Sequence, residues 1–407
     1  MITLKELYRI GYGPSSSHTM GPRKAAEIFL ERHPEPDTAF EVTLYGSLAA
    51  TGKGHMTDWA VESVLGKERT RIVWEPKIFL PFHPNGMKFK ALRPDGQSTD
   101  EWTVFSVGGG ALAEEGMPTV EFEEIYGMNY ATDILSWCIR TGKSYWEYVK
   151  ECEDADIWDY LAEVWDTMKT AVRNGLEQEE VLPGPLNLRR KAASYYVRAE
   201  GYQRSMKTRG LIFSYALAVS EENAGGGRIV TAPTCGSCGV LPGVLYHLYK
   251  SREMSDTRII RALATAGLFG NIVKKNASIS GAEVGCQGEV GVACAMAAAA
   301  ANQLFGGTPA QIEYAAEMGL EHHLGLTCDP VCGLVQIPCI ERNAYAAARA
   351  VDANSYAMLT DGMHRVSFDK VVEVMKKTGH DLPSLYKETS EGGLAEDFHQ
   401  MWHSGVE

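Results

Sequence analysis

Three cysteines in the C-terminal half, Cys286, Cys328 and Cys339, combine residue type and setting in a way that points to metal chemistry. They stand in G-C-Q-G-E-V-G and in T-C-D-P-V-C-G-L-V-Q-I-P-C-I-E-R-N. Cubane iron–sulfur clusters are held by thiolates. Thiols beside glycine- and proline-shaped loops, in a chain with no secretory signal, read as metal ligands before disulfides. The plainer alternative is that a free cysteine is a small buried hydrophobe. Cys138, Cys152 and Cys294 suit that alternative, whereas Cys328 and Cys339 each lie close to a proline in an expected loop. If only three thiolates hold a cubane, one iron stays open and becomes a Lewis acid instead of an electron carrier.

Other polar residues could complete such a site. In G-P-S-S-S-H-T-M-G-P (13–22), Ser16, Ser17, His18 and Thr19 precede a helix start, where hydroxyls, backbone N–H groups and the positive end of the dipole receive a carboxylate or phosphate. The competing reading is an over-capped helix. Y-G-S-L-A-A-T-G-K-G-H-M-T-D (45–58) puts Lys53 and His55 on a glycine-flanked loop after a strand. Histidine is the common general acid or base, though a single loop histidine is often structural. T-A-P-T-C-G-S-C-G-V-L-P-G-V-L (231–245) offers Thr234, Gly236 and Ser237 to a small anion. Its C-x-x-C pair, Cys235 and Cys238, lacks both a thioredoxin-like setting and a second pair for zinc, so both read as small loop residues. K-K-N-A-S-I-S-G-A-E-V-G-C-Q-G-E-V-G (274–291) adds Lys275, Ser278, Ser280, Glu283 and Glu289 around Cys286. Of the pair His322–His323, at most one can face a site, because adjacent helical residues point apart.

The elements that must position these residues fall into two halves. Up to about residue 145 the pattern is mixed α/β. Pro22 opens a helix with Ala25, Ala26, Phe29 and Leu30 as its apolar stripe. Strand-like runs follow at 40–45, 70–74, 87–92 and 101–107, separated by turn signals at 84–86, 94–96 and 108–110. From Tyr195 to about Met375 the chain reads as helical and rich in Ala and Gly. Thr308, Pro309 and Gln311 form a capping signature for a helix ending near Gly325, and the small-residue run 293–301 reads as a buried helix. The fold class expected is α+β and multidomain: an N-terminal α/β domain, residues 1–150, followed by a mostly all-α domain, residues 151–407.

Composition sets the outer limits. A chain of 407 residues is long for one core. Its net charge of −13 argues against nucleic acid or an anionic membrane as partner. No signal-peptide core opens the chain, and the apolar run Gly291–Ala301 is shorter than the ~20 residues a membrane helix needs. Nine cysteines suit a reducing, cytoplasmic setting.

Together these motifs carry a resemblance. With F-H-P-N-G-M, S-V-G-G-G and Y-K-E-T-S-E-G-G-L-A added, the chain resembles the single-chain, iron–sulfur-dependent L-serine dehydratases (L-serine ammonia-lyases) over nearly its whole length. The resemblance implies a β domain carrying the S-S-S-H-T loop and a helical α domain holding a [4Fe-4S] cluster. Its ligands would be Cys286, Cys328 and Cys339, and its reaction the conversion of L-serine to pyruvate and ammonia. The open iron would help expel hydroxide, a Lewis-acid contribution of roughly several kcal/mol. The base is expected to be His18 or His55. The serine loop and T-A-P-T-C-G would hold the carboxylate, with Lys275 among the substrate-binding residues, placing the site between the domains. Homodimerisation is the default assembly.

Two departures bear on this expectation. Some relatives end in a cysteine that caps the open iron, whereas this sequence ends H-S-G-V-E. Cys332 stands where relatives usually carry glycine, and a fourth thiol could occupy the open iron; Cys235 likewise replaces what is often another small or polar residue. The alternatives are therefore a lyase of the same fold acting on cysteine or threonine, and a non-catalytic iron–sulfur sensor with Cys332 as fourth ligand.

Overall fold

Leu4, Leu7 and Tyr8 are fully buried, so the first residues are a structural part of the protein and not a loose end. They lead into a short strand, β1 (Ile10–Tyr12). In the computed structural model, which describes residues 1–93, 96–116, 123–388 and 392–396, contacts divide the chain into two units. One is Tyr12–Glu121; the other joins Met1–Gly11 to Phe122–Glu407.

In the first unit the alternating runs become strands. After helix α1 (Gly21–Arg32) come β2 (Ala39–Tyr45), β3 (Thr70–Glu75), β4 (Gly86–Leu92), β5 (Ser98–Gly108) and β6 (Ala111–Ala113). They form one sheet in the order β3-β2-β4-β5-β6. Only β2 and β3 are parallel, and parallel neighbours need a crossover, here supplied by α2 (Gly46–Thr51) and α3 (Thr57–Leu65). The expected strands and the helix after Pro22 are all present; of the turn signal at 94–96, Pro94 and Asp95 lie outside the described residues. One sheet face packs on α1. Phe29 lies parallel to Trp102 and edge-on to Phe40, with Phe89 beside them. Burying each such ring is worth about 1.5–3 kcal/mol. A side chain on Gly21 would meet Ser106 Oγ at 2.2 Å, so glycine is what lets α1 begin against β5.

The second unit is helical. Helices α4 (Ala131–Thr141), α5 (Tyr145–Cys152), α6 (Ile157–Glu177), α7 (Ala192–Gly201) and α8 (Arg204–Ala224) lead to β7 (Arg228–Val230), which pairs with β1. Then follow α9 (Val240–Ser251), α10 (Asp256–Asn276), the one-turn α11 (Gly281–Val284), α12 (Val292–Leu304), α13 (Pro309–Glu321), α14 (Cys339–Met358) and α15 (Phe368–Asp381). The small-residue run forms α12, buried throughout 293–301 and packed by α9, α10, α13 and α14. The capping box expected at Thr308 and Gln311 starts α13, and the turn after it ends at Gly325 with φ +79°.

These units differ from a division at residue 150. Helices α4 and α5 and the first eleven residues pack with the helical unit, because α10 presents glycines to the N-terminal segment. A Cβ on Gly267 would lie 2.8 Å from the Tyr8 ring, and one on Gly270 would lie 2.9 Å from Leu7. Tyr8 Oη then donates to the Leu263 carbonyl at 2.9 Å. Among the described residues no helix is long and apolar enough to cross a membrane.

Candidate functional site

The histidines lie in the first unit. Ser16–Met20 form a wide π-turn that runs directly into α1, an irregularity often found at functional sites. Ser15 Oγ accepts from the His18 N–H at 3.1 Å. The His18 ring is held at both nitrogens, Nδ1 at 2.8 Å from Ser17 Oγ and Nε2 at 3.1 Å from Ser47 Oγ. Ser47 reaches it because Gly46 turns the chain from β2 into α2 with φ +50°, where a Cβ would lie 2.6 Å from the Pro84 carbonyl oxygen.

His55 comes from the second motif, its ring centroid 4.7 Å from that of His18. Two threonines lock the motifs together: Thr19 Oγ1 donates to the His55 carbonyl at 2.7 Å, and Thr57 Oγ1 donates to the His18 carbonyl at 2.6 Å. Both histidines are 4% exposed. Burial holds His18 well below the usual imidazole range, and the neighbouring His55 pushes the same way. Burial alone lowers His55 to about 4. The His55 Nδ1 has no hydrogen-bond partner among the described residues. The pair is thus neutral at pH 7, with one buried ring nitrogen unspent.

The cysteines converge in the helical unit. Cys286 opens a second π-turn, Gln287–Gly291, that runs into α12. Gln287 fixes this turn: its Oε1 accepts from the Gly325 N–H and from Thr378 Oγ1, both at 3.0 Å, and its Nε2 donates to the Val284 carbonyl at 2.8 Å. Cys328 is held by the chain near 387, donating its N–H to the Tyr386 carbonyl and accepting from the Glu388 N–H, both at 2.8 Å. Cys339 is the first residue of α14; it lies near enough to feel Cys286 and Glu289 but outside the tight donor group they form with Cys328. Glu289, on the same turn as Cys286, completes a cluster in which the ligand atoms of Cys286, Glu289 and Cys328 lie within 4.8 Å of one another.

The hydroxyl loop packs on this cluster. Thr234 Oγ1 donates to Glu289 Oε1 at 2.7 Å and lies 3.2 Å from Ser237 Oγ. Asn343 closes the loop onto α14: its Nδ2 donates to the carbonyls of Gly236 (2.7 Å) and Cys339 (2.8 Å), and its Oδ1 accepts from the Gly239 N–H at 2.9 Å. Arg342, one residue earlier, donates to the Thr327 carbonyl at 2.6 Å, and its charge faces Cys286 and Cys339.

Electrostatically the cluster is a place for a cation. The hydrogen bond with Cys286 and then burial raise the Cys328 thiol well above its ordinary value. Burial, Cys286 and Glu289 do the same to Cys339. Burial raises Glu289, and burial followed by Glu289 raises Glu388 to about 8. A bound cation reverses this order, because a coordinating thiol is deprotonated outright. The donor set therefore fits a metal centre.

Some sequence candidates stand elsewhere. Lys275 is exposed and ion-paired with Glu124, so its ammonium already has a surface partner. The Thr19 hydroxyl is spent on the His55 carbonyl and on the Ser15 N–H. Ser16 is buried. Cys332 is exposed, in a left-handed conformation with φ +55°, and belongs to no ligand group among the described residues. Cys235 and Cys238 are buried, and neither is in a disulfide among the described residues. His323 is buried with Nδ1 2.7 Å from the Gly319 carbonyl, while His322 is exposed.

A family model described as serine dehydratase alpha chain matches residues 82–395, and one described as serine dehydratase beta chain matches 3–69. The chain belongs to the serine dehydratase family. It is 41% identical to the L-serine dehydratase of Streptomyces coelicolor, over 97% of this chain and 98% of that one. L-serine dehydratase 1 of Escherichia coli is also 41% identical, with 97% and 99% covered. The Helicobacter pylori L-serine dehydratase is 37% identical over 97% and 98%.

Several residues of the site carry little signal in the sequence. Glu289 is visible as one acid among several, and its spacing of three from Cys286, one helical turn, is the signal that singles it out. Arg342 and Asn343 follow Cys339 by three and four positions, the spacing that brings side chains onto one helix face. Ser47 and Glu388 carry no local signal; only the fold brings them to His18 and Cys328.

Proposed function

We propose that this protein is an L-serine ammonia-lyase that converts L-serine to pyruvate and ammonia, with a [4Fe-4S] cluster held by Cys286, Cys328 and Cys339. The observation that carries the reading is the seating of the Thr234–Ser237 loop on the cysteine–glutamate cluster, hydroxyls and thiols meeting at Glu289. Its identity to L-serine dehydratases over 97% of its length supports the substrate.

When bound, the cluster supplies Lewis acidity that eases departure of the serine β-hydroxyl. The protein's own groups do the rest. Thr234, Ser237 and the backbone at Gly236 orient the substrate, and Ser16 and Ser17 are proposed as further substrate-binding residues. Burial keeps the histidine pair neutral and ready to accept a proton. We assign the base that removes the α-proton to His55, whose Nδ1 is unspent, and the positioning role to His18, whose ring is fixed by Ser17 and Ser47. The aminoacrylate released then tautomerises and hydrolyses in water. L-serine is the small-molecule partner, and a cytoplasmic homodimer is the form proposed.

The test is direct. Anaerobically purified protein should contain iron and sulfide, and should release pyruvate from L-serine. His55→Ala should lower kcat by about 10²–10⁴. Full activity in metal-free protein, or near-normal turnover in both His18→Ala and His55→Ala, would remove the cluster or the base from this reading.

A further inference from the structure

We propose that Glu289 is the fourth protein ligand of the metal centre in the substrate-free protein, completing the set Cys286, Cys328 and Cys339. This rests on the cluster reading above. A cubane presents four irons, and the sequence offers Cys332 as the obvious fourth donor. Yet Cys332 is exposed and its backbone is left-handed. Glu289 is buried beside Cys286 and Cys328, its ligand atom within 4.8 Å of theirs.

Three observations carry the assignment. First, one carboxylate oxygen faces two thiols at once: Oε2 lies 3.9 Å from the sulfurs of both Cys286 and Cys328. Second, the other oxygen is tied back, Oε1 accepting from Thr234 Oγ1 at 2.7 Å. That bond fixes which oxygen points at the thiols, the kind of outer contact that orients a metal ligand. Third, glycines make room for the carboxylate on two sides. A Cβ on Gly281 would lie 2.6 Å from Oε2 and 3.3 Å from Cys328 Sγ, and one on Gly236 would lie 3.3 Å from Oε1. The carboxylate is seated, and its seat is shared with the thiols.

The chemistry suits an exchangeable position. Thiolate is the soft ligand that iron–sulfur centres prefer, whereas a carboxylate oxygen is a harder and more readily replaced donor. A carboxylate protects that position until the substrate arrives, and Thr234 receives the carboxylate when it leaves. The same threonine belongs to the loop that orients the substrate.

The experiment compares cluster-loaded wild type, Glu289→Gln and Cys332→Ser under mild anaerobic oxidation. The readout is the rate at which one iron is lost, followed by the paramagnetic signal of the three-iron form together with iron and sulfide content. Wild type and Cys332→Ser should lose it at the same rate, and Glu289→Gln faster by on the order of tenfold or more. Equal rates for Glu289→Gln and wild type, or accelerated loss from Cys332→Ser, would overturn the proposal. If Glu289→Gln takes up no iron, Glu289→Cys decides. A thiolate there should restore the cluster and make loss of the fourth iron slower than in wild type, and loss at the wild-type rate or faster contradicts the assignment. A wild type without iron or sulfide overturns the cluster reading itself, and this inference with it.

Discussion

Thr19 Oγ1 donates to the backbone carbonyl of His55 at 2.7 Å, and through that bond the serine loop determines where the second histidine sits. The two are 36 residues apart and both buried. Thr19→Val keeps the shape and removes the donor, leaving a buried carbonyl unsatisfied. It should cost about 1–3 kcal/mol of stability and lower kcat more than it raises KM. Urea unfolding and steady-state kinetics check this; an unchanged kcat would show that the brace serves the fold alone.

The histidine pair predicts a pH dependence with a definite sign. His55 titrates at about 4 when folded and near 6.5 when unfolded, so the unfolded chain takes up the proton first as pH falls. Its contribution to stability is complete above about 6.5 and is lost between about 6.5 and 4, a difference of roughly 3 kcal/mol. His18, pushed the same way by burial and by His55, adds to the loss. Denaturant midpoints measured from neutral pH downward should fall more steeply for wild type than for His55→Gln. Parallel curves would mean that His55 is not buried as neutral imidazole.

Asn343 ties the hydroxyl loop to the start of α14 with three hydrogen bonds. Asn343→Leu is similar in size and makes none of them. About 2–4 kcal/mol of stability should disappear, because the Gly239 N–H and two carbonyls lose their partner, and KM for L-serine should rise as the loop loosens. Thermal unfolding with and without substrate reads both effects.

Lys275 should prove dispensable. Its partner Glu124 is 47% exposed, and exposed ion pairs are typically worth about 0–1 kcal/mol. Lys275→Ala should leave KM and kcat for L-serine unchanged. A large rise in KM would return Lys275 to the substrate site.

Much of the fold was legible because local rules and tertiary packing agree. Alternation in β2 and β4, Pro22 at the start of α1 and the Thr308–Gln311 box each act within a few residues, and each is present as read. The burial of α12 was legible from alanines too small to serve any other purpose. What stayed hidden depends on distant partners. Nothing near Leu4, Leu7 or Tyr8 says that glycines in α10 receive them, so the sequence alone reads the N-terminal segment as part of the sheet domain. Cys286 and Cys328 stand out in the sequence by type and setting, whereas Glu289 looks like any glutamate until Thr234 and the two thiols are seen around it. Lys275 stands in the motif that carries Cys286, and nothing near it in the sequence says that its side chain meets Glu124.

The most direct measurement is the spectrum of the anaerobic protein before and after adding L-serine, with L-alanine, which lacks the hydroxyl, as control. The account predicts an iron–sulfur signal that L-serine changes, that L-alanine leaves alone, and that is absent when Cys286, Cys328 or Cys339 is replaced by serine. Pyruvate formed at full rate by protein with no such signal, or a signal indifferent to L-serine, would contradict it.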